Sequence, residues 1–257
     1  MPFEKELEVA KEVAAKAAAL AIEYQPGIVA EIKSDLSPVT AADRACEHLI
    51  STTLAEYFPD DGQIGEEGAG RGSRNGRRWI IDPIDGTRDF IRGLPLWCVM
   101  IALEEHGEVQ AGVVHLPVLG QTCWAWRGGG AFRNGVRLKA SSVSEARDAV
   151  LCLNGLNRMA GQLDLARMLE WAVEFWAVRS LEGTPDAMLV AAGEADIWIE
   201  PHVAPWDLAA PQVILEEAGA IFFDVRGERT IHGGSGIACA PGLERMVRAH
   251  IRASASA

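Results

Sequence analysis

The chain has 257 residues, 49% of them hydrophobic, which is enough to bury one large core or the cores of two closely packed lobes. Its 24 Lys and Arg residues against 36 Asp and Glu residues give a formal net charge of -12, which argues against a nucleic-acid or anionic-membrane partner. No apolar run approaches the roughly 18 residues of a membrane span, and the start of the chain lacks the basic-then-apolar pattern of an export signal. We therefore expect a cytoplasmic protein.

The cysteines predict neither a disulfide framework nor a thiolate zinc site, because they are scattered, odd in number and never spaced Cys-x-x-Cys. We expect all five to be reduced and packed in the core: Cys46, Cys98, Cys123, Cys152 and Cys239.

The first part of the chain predicts two helices and then an antiparallel meander. An apolar stripe along residues 3–24 indicates an amphipathic helix. The capping box Thr40-x-x-Asp43 begins a second helix that runs to about Phe58, and residues 33–38 form a polar loop between the two. Further along, the patterns predict strands at 79–81, 96–104, 109–115 and 122–126 and a helix at 88–92.

A change of composition at residues 141–148 suggests the join between two lobes, residues 1–145 and residues 146–257. In the second lobe the patterns predict strands at 149–153, 195–199 and 221–225 and helices at 164–176, 185–192, 206–218 and 243–251. Strands and helices interleave in both lobes, and the first contains a long antiparallel section. A layered α/β fold with mixed and antiparallel sheets fits this pattern better than a wholly parallel sheet.

The hexapeptide Asp82-Pro83-Ile84-Asp85-Gly86-Thr87 concentrates oxygen ligands between a predicted strand and a predicted helix. Pro83 holds the turn and leaves the carbonyl of Ile84 available as a neutral ligand, while Gly86 lets the backbone approach an anion closely. The amides of Gly86 and Thr87 would bind phosphate oxygens at the start of the helix. The pattern indicates a combined metal and phosphate site, although an Asx turn capping a helix is the alternative.

Other carboxylates lie where a strand or loop meets the start of a helix, at Glu66, Glu67 and Asp207. Alone, the glutamates would equally be a solvated pair, and Asp207 a favourable charge at a helix start. Together with the hexapeptide they predict a site for two or more Mg²⁺ ions, which can neutralise a phosphate and position a water molecule for attack.

Thr87 cannot act as a base on its own, but paired with an acidic residue it would orient the attacking water and help to deprotonate it. Asp43 is the candidate partner. The capping box alone would also account for Asp43.

Taken together, these motifs resemble the inositol monophosphatase superfamily in order and spacing over nearly the whole chain. They are Lys33-x-Asp35-x-Ser37-Pro38-Val39-Thr40-x-x-Asp43, Gly65-Glu66-Glu67, the hexapeptide with the strand before it, and Trp206-Asp207 followed by Glu216-Glu217-Ala218-Gly219-Ala220. The resemblance implies a five-layer αβαβα sandwich and phosphomonoester hydrolysis by a homodimer. It also implies two or three Mg²⁺ ions, with Mn²⁺ as a substitute, and inhibition by lithium.

The resemblance assigns roles to single residues. The implied metal ligands are Glu66, Asp82, the Ile84 carbonyl, Asp85 and Asp207. The implied catalytic residues are Thr87, Asp43 and Glu67, the last as an acidic neighbour of Glu66, and the implied phosphate contacts are Gly86 and Thr87. Family members bind the alcohol part of the substrate at the positions of Gly183, Thr184 and Glu200.

The resemblance implies a small phosphorylated metabolite as the substrate, and L-histidinol phosphate is favoured. Segments 90–97 and 200–207 are most similar to bacterial histidinol-phosphate phosphatases, whereas segment 182–187 departs from both these and the inositol phosphatases. Glu200 and Asp186 would attract a cationic amine and hydrogen-bond an imidazole, although Glu200 would equally accept hydrogen bonds from hydroxyl groups. Inositol 1-phosphate is the first alternative. Further alternatives are 3'-phosphoadenosine 5'-phosphate, fructose 1,6-bisphosphate, and a silent metal- or phosphate-binding protein.

Overall fold

A computed structural model describes residues 2–34, 36–159, 161–181 and 183–255. Asp35 of the first motif and Glu182 of the segment before the fifth helix therefore lie outside the described residues. In chain order the helices are α1 Glu4–Tyr24, α2 Ala41–Tyr57, α3 Thr87–Arg92, α4 Leu165–Ala172, α5 Thr184–Ala192, α6 Pro205–Glu217 and α7 Glu244–Ser254.

The larger sheet is built from the first half of the chain. Its strands are β3 Gly62–Gly65, β4 Gly70–Arg71, β5 Arg77–Asp85, β6 Cys98–Glu105, β7 Glu108–Leu116, β8 Gln121–Trp126, β9 Gly130–Arg133 and β10 Val136–Arg137. They lie in the order β10-β9-β8-β7-β6-β5-β3-β4, and all neighbours are antiparallel except β3 and β5. A separate antiparallel pair consists of β1 Ala30–Ile32 and β2 Pro38–Thr40.

The smaller sheet is mixed and comes from the second half of the chain. Its strands are β11 Val150–Leu153, β12 Ala177–Arg179, β13 Ile197–Pro201, β14 Ile221–Phe223 and β15 Ser235–Cys239. They lie in the order β12-β11-β13-β15-β14, with β11 parallel to both β12 and β13 and the remaining pairs antiparallel.

Three clusters of buried apolar side chains show how the layers stack. One cluster joins α1 and α2 to the outer face of the larger sheet. The second joins both sheets to α5 and α6, which lie between them, and the third joins α4 and α7 to the outer face of the smaller sheet. The predicted five-layer αβαβα sandwich is confirmed.

The packing of α6 on β7 is unusually close at Gly112. A Cβ atom there would lie 2.8 Å from Cγ1 of Val213 and 2.9 Å from Cα of Ala210. The helix therefore approaches the sheet at a distance that only glycine permits.

The main differences from the sequence predictions are local. The helix predicted at 164–176 ends at Ala172, and the chain then extends into β12. The polar loop predicted at 33–38 is the connection of the β1–β2 hairpin, whose second strand begins at Pro38. The strand β15 was not predicted, although it lies between β13 and β14. The five cysteines are free and buried, as predicted.

Candidate active site

A cavity of about 440 Å³ opens where the ends of β5, β13 and α6 meet. Most of the predicted site residues line it: Glu66, Asp82, Ile84, Asp85, Gly86, Thr87, Gly183, Thr184, Glu200 and Asp207. We call the side formed by Glu66, Asp82, Asp85 and Asp207 the acidic wall. The side formed by Arg158, Gln162, Glu200 and His202 is the mixed wall.

The acidic wall is assembled by an irregularity at the end of β5. Asp82 pairs with Met100 and Asp85 pairs with Cys98, so three steps along β5 match two steps along β6. In a regular strand, residues three apart face opposite sides of the sheet, and the extra residue removes this alternation. Carboxylate oxygens of Asp82, Asp85 and Asp207 consequently lie within 4.8 Å of one another.

Asp82 is the most buried of these carboxylates. Its Oδ1 accepts a hydrogen bond from the amide of Ile84 at 3.1 Å, and its Oδ2 is buried without a hydrogen-bond partner among the described residues. Burial, reinforced by the charges of Glu66, Asp85 and Asp207, raises the pKa of Asp82 well above its ordinary value. A buried, unpartnered oxygen beside two further carboxylates suits a hard divalent cation.

Asp207 has a structural and an electrostatic role at the start of α6. Its Oδ2 accepts a hydrogen bond from the amide of Ala204 at 2.6 Å, which caps the helix. Burial and the neighbouring charge of Asp85 raise the pKa of Asp207 from 3.8 to about 7. The helix-start interpretation and the metal-ligand interpretation are therefore compatible, because capping is what aims this carboxylate at the acidic wall.

Glu66 and Glu67 share a cation, Lys33. The Nζ atom of Lys33 lies 2.8 Å from Oε1 of Glu66 and 2.6 Å from Oε1 of Glu67. Burial raises the pKa of Glu66 from 4.5 to about 7 even though Lys33 acts in the opposite direction. Lys33 had no predicted role, although it lies in the first motif that carries the family resemblance.

The contacts of Asp43 are compatible with both predictions for it, a capping-box residue and a partner of Thr87. Its Oδ2 accepts hydrogen bonds from the amide and hydroxyl of Thr40, at 2.8 and 2.5 Å, and this forms the capping box. Its Oδ1 lies 3.3 Å from the hydroxyl of Thr87, which is also 3.1 Å from the Ile84 carbonyl. Burial raises the pKa of Asp43, so its carboxylate is a better proton acceptor than an exposed one.

The mixed wall contains Glu200 on β13, which is buried and lies 3.2 Å from Nη2 of Arg158. Gly183 lies between the two walls with a φ of +51°, and a Cβ there would be 3.7 Å from Oδ2 of Asp85 and 4.0 Å from Oε2 of Glu200. Its missing side chain keeps the space between the walls open. Thr184 lines the cavity, and its hydroxyl lies 3.3 Å from the sulfur of Met100.

The structure does not bring Asp186 to the cavity. Asp186 is fully buried in the first turn of α5, where its Oδ2 accepts a hydrogen bond from the amide of Leu181 at 2.8 Å, and it is not part of the cavity lining. We therefore correct the prediction that Asp186 contacts substrate: its carboxylate holds the chain that leads into α5. Asp43 and Glu67 also lie behind the lining: Asp43 contacts the lining residue Thr87, and Glu67 shares Lys33 with the lining residue Glu66.

Arg158, Gln162 and His202 also line the cavity, and the sequence had not assigned them to the site. The Nε2 atom of Gln162 donates to the carbonyl of Gly234 at 3.1 Å and lies 3.5 Å from Nδ1 of His202. Arg158 and Gln162 lie in an irregular segment after β11 that carries no recognisable motif, and only the positive charge of Arg158 could have drawn attention to it. His202 follows β13 within segment 200–207, which carried the resemblance but gave this residue no role.

The chain is similar to known proteins over most of its length. Residues 3–256 match the inositol monophosphatase family. A histidinol-phosphatase from Chlorobaculum parvum is 40% identical over 91% of this chain and 92% of its own, and one from Mycobacterium tuberculosis is 42% identical over 81% and 82%. The solved structure of an IMPase from Thermotoga maritima superposes with a TM-score of 0.89 at 29% identity, covering 97% of both chains.

The fold and the site thus define a phosphoric monoester hydrolase, as predicted. The chain belongs to the inositol monophosphatase family. No helix in the described parts of the chain is both long enough and apolar enough to cross a bilayer.

Proposed function

We propose that the protein is a Mg²⁺-dependent phosphomonoesterase that favours L-histidinol phosphate. The observation that carries the reaction is the close approach of Asp82, Asp85 and Asp207 within 4.8 Å around a buried, unpartnered oxygen. Negative charges this close repel one another and destabilise the metal-free protein, and a bound divalent cation would offset that repulsion. Glu66 and the Ile84 carbonyl line the same cavity and complete the proposed ligand set.

Bound Mg²⁺ would neutralise the phosphate and polarise the attacking water. The residues of the chain provide orientation and proton transfer. Asp43 accepts the hydrogen bond of the Thr87 hydroxyl, which leaves the oxygen of Thr87 turned toward the water. As water bonds to phosphorus and the ester P–O bond breaks, the proton of the water passes through Thr87 to Asp43, and the leaving alkoxide takes a proton from solvent.

The amides of Gly86 and Thr87 would bind phosphate oxygens at the start of α3, where Gly86 has a φ of +82°. A side chain at Gly86 would place its Cβ 3.0 Å from the carbonyl of Leu96, so the turn is tight as well as left-handed. Glu67 would act beside Glu66, with its charge balanced by Lys33.

Support for histidinol phosphate comes from the two histidinol-phosphatase relatives and from Glu200. A carboxylate in the mixed wall would attract the ammonium group of that substrate. Inositol 1-phosphate is the second candidate, because Arg158 already offsets the charge of Glu200 and the similar solved structure is an IMPase. Family membership also leads us to propose a homodimer, Mn²⁺ as a substitute and inhibition by lithium.

The test is phosphate release from L-histidinol phosphate, inositol 1-phosphate, fructose 1,6-bisphosphate and 3'-phosphoadenosine 5'-phosphate, each with Mg²⁺, with Mn²⁺ and with a chelator. We expect the highest kcat/KM for histidinol phosphate and no turnover with the chelator. A higher kcat/KM for inositol 1-phosphate would reject the substrate, and turnover with the chelator would reject the metal dependence.

A further inference from the structure

A buried carboxylate on α2 lies directly beneath the loop that carries Glu66. Oε2 of Glu47 accepts a hydrogen bond from the amide of Glu67 at 2.8 Å, and Oε1 accepts one from the amide of Ala69 at 2.7 Å. Hydrogen bonds from backbone amides to a carboxylate are about twice as strong as those between neutral groups. Glu47 is 4% exposed, so water competes little for either bond.

The loop is shaped around this carboxylate. A Cβ atom at Gly65 would lie 2.3 Å from Oε2 of Glu47, so the close approach requires glycine at this position. The amide of Gly65 donates to the carbonyl of Ala69 at 2.8 Å and closes the turn, and the amide of Glu66 reaches the carbonyl of Ile81 on β5 at 3.3 Å. Glu47 and β5 therefore hold the backbone on both sides of Glu66.

No other described contact replaces what Glu47 does for the amides of Glu67 and Ala69. An apolar residue at position 47 would leave both amides without an acceptor inside the protein. Lys33 binds the tips of the Glu66 and Glu67 side chains, but it does not fix the backbone from which they project. The hydrogen bonds to Glu47 therefore set the direction in which the side chain of Glu66 leaves the loop.

We propose that Glu47 is a positioning residue that aims Glu66 into the acidic wall and thereby raises the affinity of the site for Mg²⁺. The proposal rests on the proposed function, in which Glu66 is a metal ligand. Glu47 itself touches neither substrate nor metal, and its effect passes through the backbone of residues 65–69. Groups that orient a metal ligand in this way change metal affinity by about 10–100-fold when removed.

Glu47→Gln tests this role with nearly unchanged volume. The glutamine amide offers one acceptor oxygen, and its NH₂ group faces the second backbone N–H, so one hydrogen bond is lost. We expect the Kd for Mg²⁺, measured by calorimetry on the full chain, to rise about 10–100-fold. We also expect faster hydrogen exchange at the amides of Glu67 and Ala69 in the metal-free protein. Gly65→Ala should likewise raise the Kd for Mg²⁺ and speed the exchange of these amides, because the new Cβ displaces the Glu47 carboxylate.

Glu104→Gln is the matched control. Glu104 is equally buried at 4%, but it pairs with Arg78 near the far end of β6. It should lower the melting temperature without changing the Mg²⁺ Kd or the exchange of the loop amides. If Glu47→Gln does not fold, Glu47→Asp keeps the charge on a shorter side chain and should give an intermediate Kd.

Unchanged exchange and an unchanged Kd in the folded variants would overturn the proposal. A Kd raised equally by Glu104→Gln would also overturn it, because the effect would then follow global stability. The two proposals fail separately. A wild-type protein that binds no Mg²⁺ contradicts the proposed function, whereas the exchange of the loop amides reports the positioning by Glu47 without any metal.

Discussion

The acidic wall and the mixed wall of the cavity are held in different ways. In the acidic wall, Asp82 and Asp207 are each fixed by a nearby backbone amide at the end of a strand or the start of a helix. In the mixed wall, Glu200 is fixed by the long side chain of Arg158, which comes from a segment outside the strands and helices. Short contacts to backbone fix geometry more tightly than long side chains do. We infer that the acidic wall determines the reaction and the mixed wall selects the substrate.

The largest expected effect is that of Asp85→Asn in the acidic wall. Replacing a carboxylate ligand removes charge from the cation site, and several kcal/mol of transition-state stabilisation depend on that cation. At 1.36 kcal/mol per factor of ten, we expect kcat to fall about 10³-fold on every phosphomonoester tested. Steady-state kinetics and a melting curve check this. A substrate-dependent loss would contradict the division between the two walls.

Thr87→Ala should lower kcat about 10²-fold, since it removes the hydroxyl that orients the water, and Thr87→Ser should recover most of the loss.

Asp43→Asn separates the two interpretations of Asp43. As the N3 residue of the capping box alone, Asp43 would affect only stability. We expect kcat to fall as well, and a loss confined to the free energy of unfolding would contradict the catalytic role.

The acidic wall should also give the site a pH dependence. The folded, metal-free protein keeps protons on Asp207 and Glu66 up to a pKa of about 7, whereas the unfolded chain loses them near 3.8 and 4.5. The folded state therefore binds more protons in this range, so these groups lower the free energy of unfolding as pH rises from about 4 to about 7.

Mg²⁺ must displace these protons, so its affinity should weaken as the pH falls below about 7, by up to about tenfold per pH unit for each proton released. The increase in melting temperature caused by Mg²⁺ should accordingly be larger at high pH than at low pH. Calorimetry in buffers of different ionisation enthalpy counts the released protons. An affinity that is flat with pH would show that the carboxylates are already ionised.

The smallest expected effect comes from the mixed wall. Glu200→Gln should raise KM for L-histidinol phosphate about tenfold, because one charge-assisted hydrogen bond to the ammonium group is weakened. KM for inositol 1-phosphate and kcat for both substrates should change little. Equal changes for the two substrates would mean that Glu200 supports the cavity rather than selecting its occupant.

Local patterns predicted the parts of the fold that local chemistry determines. The capping box at Thr40 begins α2, and the apolar stripe of residues 3–24 forms α1, because caps and the 3.6-residue apolar period are visible within a short stretch of sequence. The strand β15 was missed because it begins Ser235-Gly236 after two further glycines, a sequence that disfavours strands. Gly236 is nevertheless suited to its place, since a Cβ there would lie 2.8 Å from the ring of Trp198.

In the site, too, residues close together in sequence were predicted, and contacts made only by the fold were missed. The hexapeptide indicated Asp82 and Asp85, half of the acidic wall, because these two are close in sequence, and the fold brings Glu66 and Asp207 to them. Asp186 was misplaced because the pattern of α5 does not show that its third residue points back to Leu181. Arg158 was missed because its role depends on Glu200, a residue distant in sequence that only the fold brings to it.

The close contact at Gly112 gives a remote part of the larger sheet control over the acidic wall. The helix that rests on Gly112 begins with the segment carrying Asp207, and it is clamped between the two sheets. A methyl group on β7 would lift α6 and move Asp207 with it. A substitution at position 112 would therefore change the spacing of the carboxylates. The packing of α6 in the core sets the width of the site.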